Sequence, residues 1–108
     1  MNASMDIPGD RFRAKGFRHP ILLTDHVFDK LRAIDLALAE FEFLLDGGMI
    51  IEETVLSDTA VKELVLLIDW TRPLHVVVVV DDDRSEERIL TVYEPDSERW
   101  DHDYQRRR

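Results

Sequence analysis

The residues best suited to acid–base chemistry lie close together in the second half of the chain. His75 can titrate near neutral pH, and a carboxylate such as Asp69 favours its charged form. Arg72 can offset negative charge that develops on a reacting group. Thr91 and Tyr93 add two hydroxyl groups, two positions apart. These side chains could transfer a proton and stabilise an anion if the fold brings them to one surface.

The spacing of apolar residues predicts one long amphipathic helix from Thr24 to Asp46. Its apolar stripe follows alternating steps of four and three, through Val27, Leu31, Ile34, Leu38, Phe41 and Leu45. Thr24 suits the N-cap, because its hydroxyl can accept a hydrogen bond from a first-turn amide. Gly47 and Gly48 should stop the helix, since glycine readily takes the left-handed conformation of a C-terminal cap.

Four strands are predicted after this helix, at 49–56, 62–70, 74–80 and 89–93. Turn residues separate them, and short connections favour antiparallel pairing. Residues 97–104 are assigned to a possible short C-terminal helix. The predicted fold is a two-layer α+β domain, in which an N-terminal helix packs on a four-stranded antiparallel sheet.

The predicted hairpin at Arg72 and Pro73 brings His75 opposite or near Asp69. Proline suits this corner, because it fixes its own backbone angle and lacks an amide donor. Cross-strand neighbours share a sheet face, so the imidazole and the carboxylate are expected on the same surface, with Arg72 at its rim.

The pairing of the last two strands adds the hydroxyl groups to this surface. If Val80 pairs near Arg88, an antiparallel register places His75 near Tyr93. Alternate residues share a face, so Thr91 joins them. A slip of one residue would scatter the group.

Each of these residues also has an ordinary structural interpretation. His75 is flanked by apolar residues, which is typical of a hydrogen-bonded core or edge histidine. Thr91 and Tyr93 are common strand formers, and Asp69 fits a solvent contact at a strand end. His26, at the predicted helix start, is more typical of a capping or packing residue.

The composition describes a single globular domain with a strongly ionic surface. The chain has 108 residues, of which 44% are hydrophobic and 34% are charged. That length suits one compact domain, and the apolar content supports a core. The absence of cysteine excludes a disulfide scaffold, a thiol nucleophile and a cysteine zinc site.

No segment has the length expected of a membrane span. The longest apolar run is Val76–Val80, and a spanning helix needs about 20 apolar residues. Residues 1–10 lack the apolar stretch of a signal peptide. We therefore expect a soluble cytoplasmic protein that contacts no membrane. The four histidines lack compact zinc spacing, and neither a metal nor a cofactor is expected.

Charge is distributed unevenly along the chain. The net charge is −9, with +2 in residues 1–20 and +3 in the last three arginines, which leaves −14 between them. We divide the chain into a basic N-terminal tail at 1–20, one α+β domain at 21–104 and a basic end at 105–108. The ends are interpreted as solvated tails, with contact arms for RNA or an acidic partner as the alternative.

Several short motifs occur together in residues 21–104. They are Thr24-Asp25-His26 at the helix start, the Gly-Gly stop, Arg-Pro-Leu-His-Val-Val-Val at 72–78 and Thr-Val-Tyr-Glu-Pro at 91–95. This combination resembles a family of small bacterial domains, domain-of-unknown-function family 4258. Lys30 matches the basic residue that follows the helix-opening histidine in that family. The family is similar, in turn, to RelE-like toxins and related small endoribonucleases.

The resemblance implies a RelE-like fold and a link to toxin–antitoxin or nuclease biology. The chemistry would be metal-free phosphodiester cleavage, in which a base removes the ribose 2′-OH proton and a donor stabilises the leaving 5′-oxygen. His75 would serve as acid or base, Arg72 would offset phosphate charge and Tyr93 would stack on a base or donate a hydrogen bond. His26 and Asp69 complete the catalytic candidates.

Two functions are left open by the sequence. The first is a toxin-like endoribonuclease that binds RNA, with Lys30 and Thr91 as substrate-binding candidates and an antitoxin or other protein as partner. The second is a non-catalytic module of the same fold whose acidic body meets a basic protein. The oligomeric state is not determined by the sequence.

Overall fold

The computed structural model describes residues 19–68 and 70–108. In this part of the chain the elements are β1 (Ile21–Leu23), α1 (Asp25–Ala33), α2 (Leu38–Asp46), β2 (Met49–Val55), β3 (Ala60–Leu67), β4 (Leu74–Asp81) and β5 (Glu86–Tyr93). The five strands form one sheet in the order β1-β5-β4-β3-β2. β1 runs parallel to β5, and the other neighbours are antiparallel.

The predicted four-stranded antiparallel sheet is therefore wrong, because a fifth strand makes the sheet mixed. β1 has only three residues, too few for a period of two to show in the sequence. Its position depends on a distant partner, since Ile21 pairs with Glu87 of β5. The turns predicted near 57–59 and 72–73 do fall between strands, as expected.

The predicted single helix is also wrong, because residues 34–37 divide it into α1 and α2. Asp35 has a φ of 58°, a left-handed conformation that aspartate tolerates better than most residues. The amide of Leu36 donates to the carbonyl of Leu31 at 3.0 Å, and the Asp35 amide donates to Arg32 at 3.1 Å. This pair of bonds is a Schellman cap, and it lets Leu36 enter the core.

The two ends of the helical region follow the prediction in position. Thr24 caps α1, because its hydroxyl accepts a hydrogen bond from the Val27 amide at 3.3 Å. α2 ends at Asp46, but Gly47 has a φ of −95° and does not adopt the left-handed cap. The glycine requirement lies at Gly48, where an added Cβ would come within 2.5 Å of a Val65 methyl.

Both helices pack on one face of the sheet and form the core with it. The apolar side chains of this core come from both helices and from β3, β4 and β5, including Val27, Leu31, Phe41, Leu45, Val65, Val76, Val78, Ile89 and Val92. Neither helix in the described ranges is long and apolar enough to cross a membrane.

Residues 94–108, which we call the C-terminal segment, follow β5 and contact the opposite face through Trp100, Tyr104 and Arg107. The predicted short helix at 97–104 is absent from this segment, which instead forms turns and one antiparallel bridge between Trp100 and Arg107. Trp100 packs edge-on against His75. Side chains alternate between the two faces of a strand, and the core valines of β4 are at positions 76, 78 and 80, so His75 is on the other face. We call this surface the helix-free face.

Candidate functional site

The candidate site is built on the pairing of β4 with β5. His75 lies directly opposite Tyr93, the arrangement that the sequence predicted for these two residues. The pairing assumed at the other end of the strands is wrong, because Val80 lies opposite Glu87 and not Arg88. An irregularity in the ladder between the two pairs shifts the register by one residue.

His75 is completely buried, and both of its ring nitrogens have partners within the chain. Nε2 lies 2.9 Å from the backbone carbonyl oxygen of Tyr104, and Nδ1 lies 3.2 Å from the Tyr93 hydroxyl. A carbonyl oxygen can only accept, so Nε2 carries the hydrogen. The neutral ring therefore accepts at Nδ1 from the Tyr93 hydroxyl.

Burial also sets the charge state of this pair. Desolvation lowers the pKa of His75 below 6.5, against a smaller opposing effect of the hydrogen bond to Tyr104. Desolvation raises the pKa of Tyr93 above 10.0, with smaller influences from Arg107 and Glu52. Near neutral pH the imidazole and the phenol are therefore both uncharged, which fits the direction of their hydrogen bond.

The C-terminal segment closes the site over His75. The indole of Trp100 meets the imidazole edge-on with 4.4 Å between ring centroids, and only 3% of Trp100 is exposed. The guanidinium of Arg107 lies over the same indole, 4.6 Å from its centroid. Part of the basic end that the sequence assigned to a solvated tail is thus packed on the sheet.

Arg107 also forms a two-point ion pair with Glu52 of β2. Its Nε lies 2.8 Å from one carboxylate oxygen, and its Nη2 lies 3.1 Å from the other. The hydrogen bond to Glu52 is the main reason that the pKa of Arg107 is raised. The side chains are 64% and 36% exposed, so solvent screens the pair and its free energy is about 1 kcal/mol or less.

A pocket of about 290 Å³ opens on the helix-free face beside Tyr93, and we call it the Tyr93 pocket. Its ionic lining residues are Glu52, Glu63, Lys62 and Arg107, while Thr54 adds a hydroxyl. The pocket therefore combines two acidic residues, two cations and a phenol that is hydrogen-bonded to a buried histidine. Such a set can hold an anion and move a proton.

The remaining predicted residues do not join this group. Thr91 lies opposite Val77, two positions from the His75–Tyr93 pair, but its hydroxyl lies 3.2 Å from Nε2 of His26. Arg72 forms an ion pair with Glu94 at 3.7 Å, and its guanidinium lies 5.1 Å from the centre of the Trp70 ring. These contacts leave Thr91, His26 and Arg72 outside the Tyr93 pocket.

Two further predicted residues have separate outcomes. Lys30 lies on the helical side of the sheet, where it lines a second pocket with Tyr93 and Glu94. Asp69 and the basic tail up to residue 18 lie outside the described residues.

Sequence reasoning missed most of the polar lining of the site. Glu52 and Lys62 occupy strand positions with no distinguishing pattern around them, and Arg107 belongs to a run of three arginines. A usable signal was present in Trp100 and Tyr104, since aromatic residues in a highly charged segment mark a part of the chain that packs.

In the described ranges, no group of three or more histidine or acidic side chains is arranged to hold a metal ion. The chain matches no family model, no curated protein and no solved structure.

Proposed function

We propose that this chain is a metal-independent endoribonuclease of the toxin kind that acts at the Tyr93 pocket, with an antitoxin as its protein partner. The observation that supports this proposal is the convergence of Tyr93, Glu52, Lys62 and Arg107 on one pocket, with His75 behind the tyrosine. The resemblance of residues 21–104 to domain-of-unknown-function family 4258 points in the same direction.

The proposed base is a pair of residues in which His75 acts through Tyr93. The Tyr93 hydroxyl donates its hydrogen to Nδ1 of His75, so its oxygen keeps lone pairs for another donor. A ribose 2′-OH gives its proton to the Tyr93 oxygen while the tyrosine gives its own proton to His75. Tyr93 is then the catalytic residue, and His75 is a positioning residue and the final proton acceptor.

The rest of the reaction depends on the cations of the pocket. The 2′-oxygen bonds to phosphorus as the bond from phosphorus to the 5′-oxygen breaks, and Lys62 gives a proton to the leaving oxygen. The products are a 2′,3′-cyclic phosphate and a free 5′-hydroxyl. Arg107, which Glu52 and Trp100 hold in place, stabilises the charge on the phosphate oxygens.

Cleavage of a mixed-sequence RNA by the full chain in excess EDTA tests this proposal. We expect cleavage by the parent and a loss of about 100-fold or more in rate for Tyr93→Phe, because the relay loses its hydroxyl. Tyr104→Phe is the matched control, because Tyr104 contacts His75 through its backbone carbonyl and keeps that contact. Arg107→Gln should be impaired, and Arg106→Gln, next to it and exposed, should not.

Two results would contradict the proposal. One is the absence of cleavage by pure, folded protein that has been freed of partners. The other is full activity in Tyr93→Phe while circular dichroism shows that the variant is folded.

A non-catalytic binding module is the second candidate, and the burial of His75 favours it. Both ring nitrogens are bonded within the chain, and Trp100 covers the ring. The chain between the two basic ends has a net charge of −14, which suits a basic protein partner. A pull-down from the native cell should then recover a stoichiometric basic protein, and recovery of none counts against this function.

A further inference from the structure

The hydrogen bond between Tyr93 and His75 joins the Tyr93 pocket to a buried titratable group. The phenol lines the pocket, and its hydroxyl lies 3.2 Å from Nδ1 of His75, which has no exposed surface. The other ring nitrogen, Nε2, lies 2.9 Å from the Tyr104 carbonyl oxygen, which can only accept. The bond at Nδ1 therefore connects the protonation state of His75 to the pocket.

The protonation state of His75 decides the direction of the Tyr93 hydroxyl. When the imidazole is neutral, Nδ1 accepts, and the Tyr93 hydrogen is directed at the ring. When the imidazole is protonated, both nitrogens are donors, so Nδ1–H donates to the Tyr93 oxygen while Nε2–H keeps its bond to Tyr104. The Tyr93 hydrogen then has no acceptor on the ring and is available on the pocket side. Protonation therefore turns Tyr93 into a donor toward a ligand in the pocket.

The surroundings of His75 keep the ring neutral while the pocket holds no anion. The titratable and charged groups that face it are Tyr93 of β5, Glu52 of β2 and Arg107 of the C-terminal segment, and β3 places Leu66 opposite it. Glu52 and Arg107 act on the pKa of His75 in opposite directions, and burial has the largest effect and lowers it. A negative charge bound one hydroxyl away favours the protonated ring.

We propose that the Tyr93 pocket binds a tetrahedral oxyanion together with one proton, which is held on Nδ1 of His75. The ligand class is a sulfate or a phosphate ester. An oxygen of the anion accepts from the Tyr93 hydroxyl, whose own oxygen accepts from Nδ1–H of His75. Lys62 and Arg107, which line the same pocket, supply positive charge. The inference rests on the phosphate site of the proposed function, but it does not require cleavage of RNA.

The same protonated pair is what the proposed reaction leaves behind. After the relay, Tyr93 carries the former 2′-OH proton and His75 carries the former Tyr93 proton. Tyr93 then donates to the cyclic phosphate, so the product is bound by the protonated pair and the substrate by the neutral pair. Oxyanions in solution should therefore compete with the substrate more strongly at acid pH.

Binding of sulfate to the full chain tests the inference, because sulfate does not itself titrate near neutral pH. Isothermal titration at constant ionic strength, between about pH 7.5 and about pH 5.5, should show an affinity that rises by up to about tenfold per pH unit as the pH falls, the limit for one linked proton. Titrations in two buffers of different ionisation enthalpy should show net proton uptake. Nitrogen-15 spectra of the histidine rings should show that Nδ1 of His75 becomes protonated as sulfate saturates the protein.

Variants assign this proton to His75. His75→Gln should bind sulfate with little dependence on pH, because an amide does not titrate. Tyr93→Phe should lose both affinity and pH dependence, because no hydroxyl then links the ring to the pocket. His102→Gln, at an exposed position, is the matched control and should follow the parent. The nitrogen-15 measurement uses the parent alone, so the test does not depend on the folding of His75→Gln.

The outcomes separate this inference from the proposed function. Sulfate affinity that is independent of pH, no binding of sulfate, or an unprotonated Nδ1 at saturation overturns the inference even if RNA is cleaved. Loss of the pH dependence in Glu52→Gln, together with its retention in His75→Gln, also overturns it, because the proton is then on the carboxylate. Proton-linked binding of sulfate that His75→Gln abolishes supports the inference even if no RNA is cleaved.

Discussion

At the scale of single residues, one hydrogen bond defines the candidate site. Tyr93 donates to a histidine that has no exposed surface, and the other nitrogen of that histidine is held by a backbone carbonyl. A buried polar group costs free energy unless it is bonded, so the fold depends on the same contacts that the proposed chemistry uses.

Tyr93→Phe should lower the free energy of unfolding by about 1 kcal/mol, because Nδ1 of His75 is left without a donor in a buried position. Urea denaturation followed by circular dichroism measures this change. Tyr104→Phe should stay within about 0.5 kcal/mol of the parent, because only the Tyr104 backbone contacts His75. Equal destabilisation by the two substitutions would show that the hydrogen bond from Tyr93 to His75 does not contribute to the free energy of unfolding.

Acid should destabilise the protein through His75. Burial lowers the pKa of His75 in the folded chain, while the same histidine in the unfolded chain has its ordinary pKa of 6.5. The unfolded state therefore binds protons first, and stability that is complete at higher pH is lost as the pH falls below about 6.5.

Unfolding free energies of the parent and of His75→Gln, measured between about pH 7.5 and about pH 5.5, check this dependence. The parent should lose more stability than the variant over this range. His102→Gln, at an exposed position, should follow the parent. The same pH dependence in the parent and in His75→Gln would contradict the assignment to His75.

At the scale of elements, the two glycines that connect α2 to β2 have different environments. The two positions are adjacent, yet Gly47 is open to solvent and Gly48 is packed under α2 against β3. The distinction depends on which residue faces the strand behind it, and the local sequence of two glycines does not contain that information.

Gly48→Ala should destabilise the protein by about 1–3 kcal/mol, because the new methyl group would lie 2.5 Å from a Val65 methyl and 2.8 Å from a Leu67 methyl. Gly47→Ala is the matched control, with its nearest neighbour atom at 3.9 Å and a φ of −95°. It should be neutral or stabilise by up to about 1 kcal/mol. Thermal unfolding of both variants decides the prediction, and similar melting temperatures would refute it.

At the scale of the whole molecule, the acidic domain holds part of its own basic end. Arg107 is 55 positions from Glu52, and their ion pair joins the C-terminal segment to β2, beside the buried contacts of Trp100 and Tyr104 with His75. The local charge at the Tyr93 pocket is therefore different from the net charge of −9, because Lys62 and Arg107 both line it. A nearly balanced pocket on an acidic surface can hold one phosphate and does not attract nucleic acid in general.

A double-mutant cycle on this pair should give a coupling of about 0.2–1 kcal/mol, as expected of an exposed ion pair. The cycle uses Glu52→Gln, Arg107→Gln and the combination, each unfolded in urea at low salt. Added salt should weaken the coupling, since both charges are exposed to solvent. A second cycle, with Arg106→Gln in place of Arg107→Gln, should give no coupling. A coupling energy equal to that of the first cycle would contradict the pairing of Glu52 with Arg107.

The sequence by itself determined the features that depend only on residues close together in the chain. Thr24 caps the first helix, the helical region ends before the glycine pair and the turns fall where turn residues cluster. The approach of His75 to Tyr93 also followed from strand parity, although the assumed pairing at the far end of the same strands was wrong. The prediction for His75 held because the irregularity between the two pairs shifts the register by one residue, which offsets the one-residue error in the assumed pairing of Val80.

Tertiary structure alone decided the features that depend on distant partners. β1 exists because β5 offers it an edge, and Asp35 breaks the helix because Leu36 is buried in the core. The contacts that complete the site, from Trp100, Tyr104 and Arg107, come from the end of the chain. No period or spacing encodes them, because a segment without regular structure is placed by the surface that it covers.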